Sequence, residues 1–262
     1  VRDWVGLAQQ KRICGFSPDQ LRQLQVKKLN RLLAHAYAHC GYYRKVFDKA
    51  KILPQTIQAI EDLARIPLTT RQDISDSGVF SLVASQRDPG RLIPHETSGS
   101  TDRHPLSVYL SCPEARQRGL LHLRMLFENG FRKNDRVFIL THPQFIPVQP
   151  RPSLRDALGF FPMRYISIFD PPDKQLQAMA QEDPSILKGY TSTIKTLAQK
   201  IAGRKRCFNR LRLVYCTGEY LSAQDRSFIQ EAFQAEALDY YSSAESGLIA
   251  WECRKHQGYH IN

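Results

Sequence analysis

Glu96-Thr97-Ser98-Gly99-Ser100-Thr101-Asp102-Arg103-His104-Pro105-Leu106 gathers four small hydroxyl residues round one glycine. Hydroxyls and exposed backbone N–H groups are what a turn needs to hold phosphate oxygens. Arg91-Leu92-Ile93 before the stretch and Val108-Tyr109-Leu110 after it read as the two elements that such a loop would join. It is not a Walker A loop, because the G-x-x-x-x-G-K-[ST] spacing is absent. A Ser/Thr-rich surface turn is the other reading, since these side chains also bond their own backbone.

Downstream of this stretch the pattern alternates between helix and strand. Residues 113–128 read as a helix, with Pro113 suited to its first turn and Gly130 to its stop. Arg136-Val137-Phe138-Ile139-Leu140 is a short apolar run, as expected of a strand buried on both faces. Residues 141–162 carry five prolines and no period, so they read as a binding loop. Residues 163–169 alternate like a strand, 173–181 and 191–203 are helical, and Leu211-Arg212-Leu213-Val214-Tyr215 is another strand. Ser222 and Asp225 form a capping box for a helix reaching Phe233, and Ala237 to Tyr241 is the last strand before a polar turn. Strands alternating with helices predict an α/β fold whose sheet is largely parallel.

Upstream, residues 18–48 read as one or two amphipathic helices, with leucines at helical spacing and Lys and Arg over much of the rest. His35 and His39 stand one turn apart; the pair can bind metal, but no carboxylate motif accompanies it, and a packed or solvated helix face is the simpler reading. Residues 48–65 read as mostly helical with a break at Pro54, and Thr70 with Asp73 begins a further helix. The expected division is an N-terminal helical segment, 1–75, packed on an α/β core, 76–262.

Composition bounds the partners. Of 262 residues, 42% are hydrophobic and 24% charged, a globular balance. The net charge of +12 suits nucleic acid, an anionic membrane surface or small anions. The basic residues are dispersed without a nucleic-acid motif, so no nucleic acid is expected. No apolar run approaches a transmembrane segment, and Val1-Arg2-Asp3-Trp4 is not a secretory signal, so a cytoplasmic location is expected. The six cysteines are scattered and read as reduced thiols, Cys253 excepted.

Two more loops follow predicted strands: Cys216-Thr217-Gly218-Glu219-Tyr220-Leu221-Ser222 and Tyr240-Tyr241-Ser242-Ser243-Ala244-Glu245-Ser246. Parallel sheets place ligands at such strand ends. With Thr97 to Thr101 upstream, the order and spacing resemble the adenylate-forming ligases, and within them the phenylacetate–coenzyme A ligase family, including its capsular-polysaccharide branch. His35-Ala36-Tyr37-Ala38, Ile66-Pro67-Leu68-Thr69, Leu187-Lys188-Gly189-Tyr190 and Glu252-Cys253 extend the likeness over nearly the whole chain. The resemblance implies that Thr97, Ser98, Gly99, Ser100 and Thr101 hold the phosphates of ATP. It implies that Gly218, Glu219 and Tyr220 line the adenine pocket with Tyr241 on the adenine face, beside Ser242 and Ser243. Glu245 would hold Mg²⁺ near the α-phosphate, as the catalytic carboxylate. The implied reaction joins a small-molecule carboxylate to AMP and then to coenzyme A.

The family pattern is not fully kept. Asp102-Arg103-His104 replaces a glycine hinge, Ser242 stands for a frequent glycine and Ala244 for the superfamily's threonine. A non-catalytic nucleotide-binding protein on the same fold is therefore the alternative. Glu245 also reads as a helix-start carboxylate favoured by the macrodipole. The small C-terminal lid of the family, with its lysine, has no counterpart before Asn262. His142 to Phe145 and Ala244 to Gly247 are candidate acid-pocket residues. Cys253, His256 and His260 form C-x₂-H-x₃-H, three ligands of types that zinc prefers, with a fourth to come from elsewhere. A homodimer is left open.

Overall fold

The computed structural model describes residues 12–13, 15–96, 107–132, 134–146, 162–204 and 207–262. The chain divides into two compact units, Val1–Leu120 and Leu121–Asn262. The boundary lies beyond residue 75 because the strand pair after the N-terminal helices belongs to the first unit.

In the first unit, helix α1 (Pro18–His39) opens on a capping box: the Ser17 hydroxyl accepts from Gln20 N–H, and Ser17 N–H donates to the Gln20 side chain. Helix α2 (Gly41–Ala50) ends at Lys51 in the left-handed region. Leu33, Phe47, Ile52 and Ile57 form the core of this unit. Residues 48–65, expected to be mostly helical, instead finish α2 and then form two 3₁₀ turns, Pro54–Thr56 and Ile60–Arg65. Pro54 removes an amide donor and the segment is too short to recover an α-helical ladder. Helix α3 (Arg71–Ser77) starts on the predicted Thr70–Asp73 capping box, and a short α4 (Val79–Leu82) follows. Strands β1 (Ile93–Glu96) and β2 (Ser107–Leu110) pair antiparallel with Glu96 opposite Ser107. These are the two elements expected to flank the hydroxyl-rich loop.

Helix α5 (Cys112–Glu128) contains the division between the units. The second unit is a seven-stranded sheet in the order β4-β3-β5-β6-β7-β8-β9. Strands β3 (Val137–Thr141), β4 (Met163–Ser167), β5 (Ile186–Tyr190), β6 (Leu213–Thr217) and β7 (Glu236–Ser243) run parallel to one another. Strands β8 (Gly247–Glu252) and β9 (Tyr259–Ile261) return antiparallel past the polar turn, where the sequence suggested no further strand. The central strands β3, β5 and β6 are buried on both faces. Helices α6 (Pro172–Glu182), α7 (Thr191–Ile201) and α8 (Ala223–Phe233) accompany one face, where Leu140, Leu187, Val214 and Ala237 join Ile194, Ile229 and Phe233. On the other face Met125 and Leu126 of α5 pack with Val137, Ile186, Leu213, Tyr215, Leu238 and Trp251. Double burial is why these strands read as short apolar runs rather than alternating ones.

Among the described residues no helix is long and apolar enough to cross a membrane.

Candidate functional site

The C-terminal ends of β6, β7 and the returning β8 and β9 enclose a cavity of about 600 Å³. Gly218, Glu219 and Tyr220 line it from the loop after β6, and Tyr241 and Ser242 from β7, so five of the predicted residues meet at one place. Gly218 has φ of +76°. A Cβ built there would lie 2.6 Å from Cδ1 of Tyr190, so both the backbone conformation and the space demand glycine. Tyr220 and Tyr241 are 86% and 60% exposed, which is unusual for aromatic rings and leaves flat apolar faces at the cavity.

Glu219 has a second task. Both N–H and hydroxyl of Ser192 donate to its carboxylate, at 2.6 and 2.8 Å, and Thr191 donates to its backbone carbonyl at 3.2 Å. Helix α7 has no cap from its own N-cap residue, Tyr190, so Glu219 closes that helix end from a neighbouring loop. The loop after β6 is thereby fixed to α7.

Sequence reasoning missed Asp239, Tyr259 and Ile261, which also line the cavity. Asp239 was legible in principle, since it lies two residues before Tyr241 on the same strand and so faces the same way. Tyr259 and Ile261 were not, because they come from β9, which the tail's sequence concealed. The Tyr259 hydroxyl donates to the Asp239 carboxylate. Burial pushes the Asp239 pKa up, and this hydrogen bond opposes the rise. Behind the cavity Arg226 grips Glu252 at 2.8 and 2.9 Å, and Glu252 accepts from Asp239 N–H at 2.8 Å.

Glu245 is exposed and sits in the turn joining β7 to β8, not at a helix start. Ser243 accepts from Ser246 N–H at 3.0 Å and shapes that turn. His142 and Phe145, candidates for the acid pocket, follow β3, and the His142 ring meets Phe145 and Phe169 edge-on at 6.3 and 5.1 Å. Thr97 to Thr101 and Asp102 to His104 lie outside the described residues.

The structure does not bring Cys253, His256 and His260 together as metal ligands. Among the described residues no three His, Cys, Asp or Glu side chains are placed to hold an ion. His256 Nε2 is 2.6 Å from Glu236 and its Nδ1 is 3.3 Å from Arg226. His260 lies on β9 with its ring stacked on Trp251 at 5.7 Å. The turn at Gly258 exists, with φ of +111°, but it closes a β-hairpin instead of a metal knuckle.

Comparison with known proteins finds relatives in sequence and in fold. A phenylacetate-coenzyme A ligase of Pseudomonas putida is 28% identical over 90% of this chain and 54% of its own length. Phenylacetate-coenzyme A ligases of Thermus thermophilus and Aromatoleum evansii are 36% and 31% identical over shorter stretches, 35% and 47% of this chain and 20% and 28% of theirs. The chain is thus similar in sequence to phenylacetate-coenzyme A ligases. It spans about half the length of the P. putida relative. Its fold matches a 2-hydroxyisobutyryl-CoA ligase solved with its acyl-AMP and CoA, with a TM-score of 0.77 and 18% identity over 94% of this chain and 60% of that one. The thioesterification state of that ligase gives 0.73 and 19%, over 90% and 52%. No family model matches the chain.

Proposed function

We propose that the protein containing this chain activates a small carboxylic acid with ATP, forming an acyl-adenylate and pyrophosphate, and passes the acyl group to coenzyme A. The observation that carries this reading is the cavity walled by Gly218, Tyr220 and Tyr241 at the C-terminal ends of the strands, in a chain related to CoA ligases over nine-tenths of its length. A cavity with two exposed aromatic faces suits a planar base, and Asp239 supplies an acceptor for an amino group on it. Glu219 holds the loop in place from α7 and does not need to touch the base.

The hydroxyls of Ser98 and Thr101, with the backbone of Thr97 to Thr101, would take the phosphates. Glu245 would hold Mg²⁺, which favours one or two carboxylates together with phosphate oxygens. Bound there, the ion would neutralise charge at the α-phosphate while the acid attacks; the protein's own part is to position the reactants and exclude water.

Calorimetry with AMP and pyrophosphate release over a panel of acids test the proposal. Replacing Ser98 and Thr101 with alanine should weaken ATP binding by about 1–3 kcal/mol. Absence of AMP binding would refute the reading. AMP binding without pyrophosphate release from any acid would favour a nucleotide-holding protein that does not turn over, the reading that Asp102 motivates.

A further inference from the structure

Lys188 is an unusual residue for its surroundings. It lies on β5, two residues before the strand's end at Tyr190. Strand order reverses between β3 and β5, since the chain passes from β3 to β4 on one side and then to β5 on the other. Open parallel sheets take ligands in the crevice beyond the strand ends at that reversal. Lys188 is 9% exposed. Its Nζ stands 5.1 Å from the centre of the Tyr240 ring, and His122 meets the same ring edge-on at 5.7 Å. Among the described residues no carboxylate pairs with it; burial alone acts on its pKa, lowering it to about 8. His122 adds no counter-charge, and its Nδ1 is buried without a hydrogen-bond partner.

An ammonium taken from water without an anion is costly, and an aromatic face offsets only part of that cost. A partner from outside the chain would complete the site. The nucleotide suits less well, because Tyr240 lines the cavity at Gly218 and Tyr241 whereas Lys188, against that ring, does not. The acid is the other ligand. Its reacting carboxylate must stand in the open at the strand ends, beside the phosphates. Lys188 roots roughly 7 Å deeper by strand rise, among aromatic rings.

Building on the adenylation reading, we infer that Lys188 is a specificity-determining residue that binds a second anionic group at the far end of the acid. The preferred substrates are dianionic acids, such as a dicarboxylate with its charges at opposite ends. Tyr240 and His122 form the walls against which that group is held.

The test compares matched pairs of acids, glutarate against valerate and benzene-1,4-dicarboxylate against 4-methylbenzoate, with the full-length protein and its Lys188→Met and Lys188→Arg variants. Pyrophosphate release gives kcat/KM, and calorimetry in the presence of AMP gives binding of the same acids directly. The wild type should prefer the dianion of each pair at least tenfold. Lys188→Met should lose that preference by at least tenfold and leave AMP affinity unchanged, and Lys188→Arg should keep part of it. Preference for the monoanion by the wild type, or an unchanged preference in Lys188→Met, overturns the inference. Equal loss for both members of a pair also overturns it, because the lysine would then hold the reacting carboxylate. If the wild type releases no pyrophosphate with any acid, the adenylation reading falls, and the calorimetric comparison of glutarate with valerate still decides the lysine.

Discussion

Replacing Lys188 with methionine removes the charge and nearly keeps the shape of the side chain. Burial lowers the lysine's pKa from 10.5 to about 8. At about 1.4 kcal/mol per pH unit, that fall disfavours the charged form in the folded protein by about 3 kcal/mol. Below about pH 8 the lysine is protonated in both states and the whole penalty is present. Between about 8 and 10.5 the unfolded chain keeps a proton that the folded protein has lost, so this group makes stability rise with pH. Above 10.5 neither state holds the proton and the penalty has gone. The methionine variant never carries it. At pH 7 the variant should be more stable than the wild type by about 2–3 kcal/mol, the lost cation–π contact offsetting some of the gain. The advantage should shrink toward zero by pH 10.5. Burial holds the hydroxyls of Tyr215 and Tyr240 neutral, so both proteins weaken at the alkaline end. The quantity to follow is therefore the difference between the two proteins at each pH. Urea unfolding read by tryptophan fluorescence reports on this core, where Trp251 is 1% exposed. A variant less stable than the wild type at pH 7, or a difference that stays constant with pH, would refute the reasoning.

Three further outcomes follow from the cavity and its supports. Gly218→Ala forces a side chain into a left-handed position and against the Tyr190 ring; it should cost about 1–3 kcal/mol of stability and reduce AMP affinity, and unchanged calorimetry would show that the loop has another conformation. Glu219→Gln leaves α7 with a weaker cap, so a loss of about 0.5–2 kcal/mol in urea unfolding is expected; a large loss of AMP affinity with stability intact would make Glu219 a nucleotide contact instead. Glu252→Gln strips the partly buried Arg226 of its anion and should destabilise the protein by about 2–4 kcal/mol, somewhat below the cost of breaking a fully buried pair; a change under about 1 kcal/mol would mean that solvent screens the pair.

How much was legible depends on the range of the interactions concerned. The α/β class, the capped starts of the helices at Thr70 and Ser222, and the apolar strands at Val137 and Leu213 follow from local periodicity and capping chemistry. The segments holding Gly218, Glu219, Tyr220, Tyr241 and Ser242 could be picked out in advance because strands of a parallel sheet carry their ligands at one end, and the resemblance to the adenylate-forming ligases named the residues within them. Strand β5 did not announce itself, since Lys188 and Gly189 interrupt its apolar run. Gly189 is explained only by packing, since a Cβ built there would lie 3.0 Å from the Leu140 side chain. The tail misled for a related reason: cysteine and histidine at ligand spacing look alike whether they hold an ion or line a hairpin. Their partners, Glu236, Arg226 and Trp251, sit on other strands and on α8.

The sequence by itself determined the α/β class, most of the helices, the strands β3, β4, β6 and β7, and the likeness to CoA ligases, because each rests on neighbours along the chain. Only the tertiary structure decided that Glu219 caps a helix, that β9 brings Tyr259 to Asp239, and that Lys188 is buried against Tyr240 with no anion among the described residues. Those facts depend on which strands lie side by side. Strand order is set by packing of the whole sheet, and no local pattern encodes it.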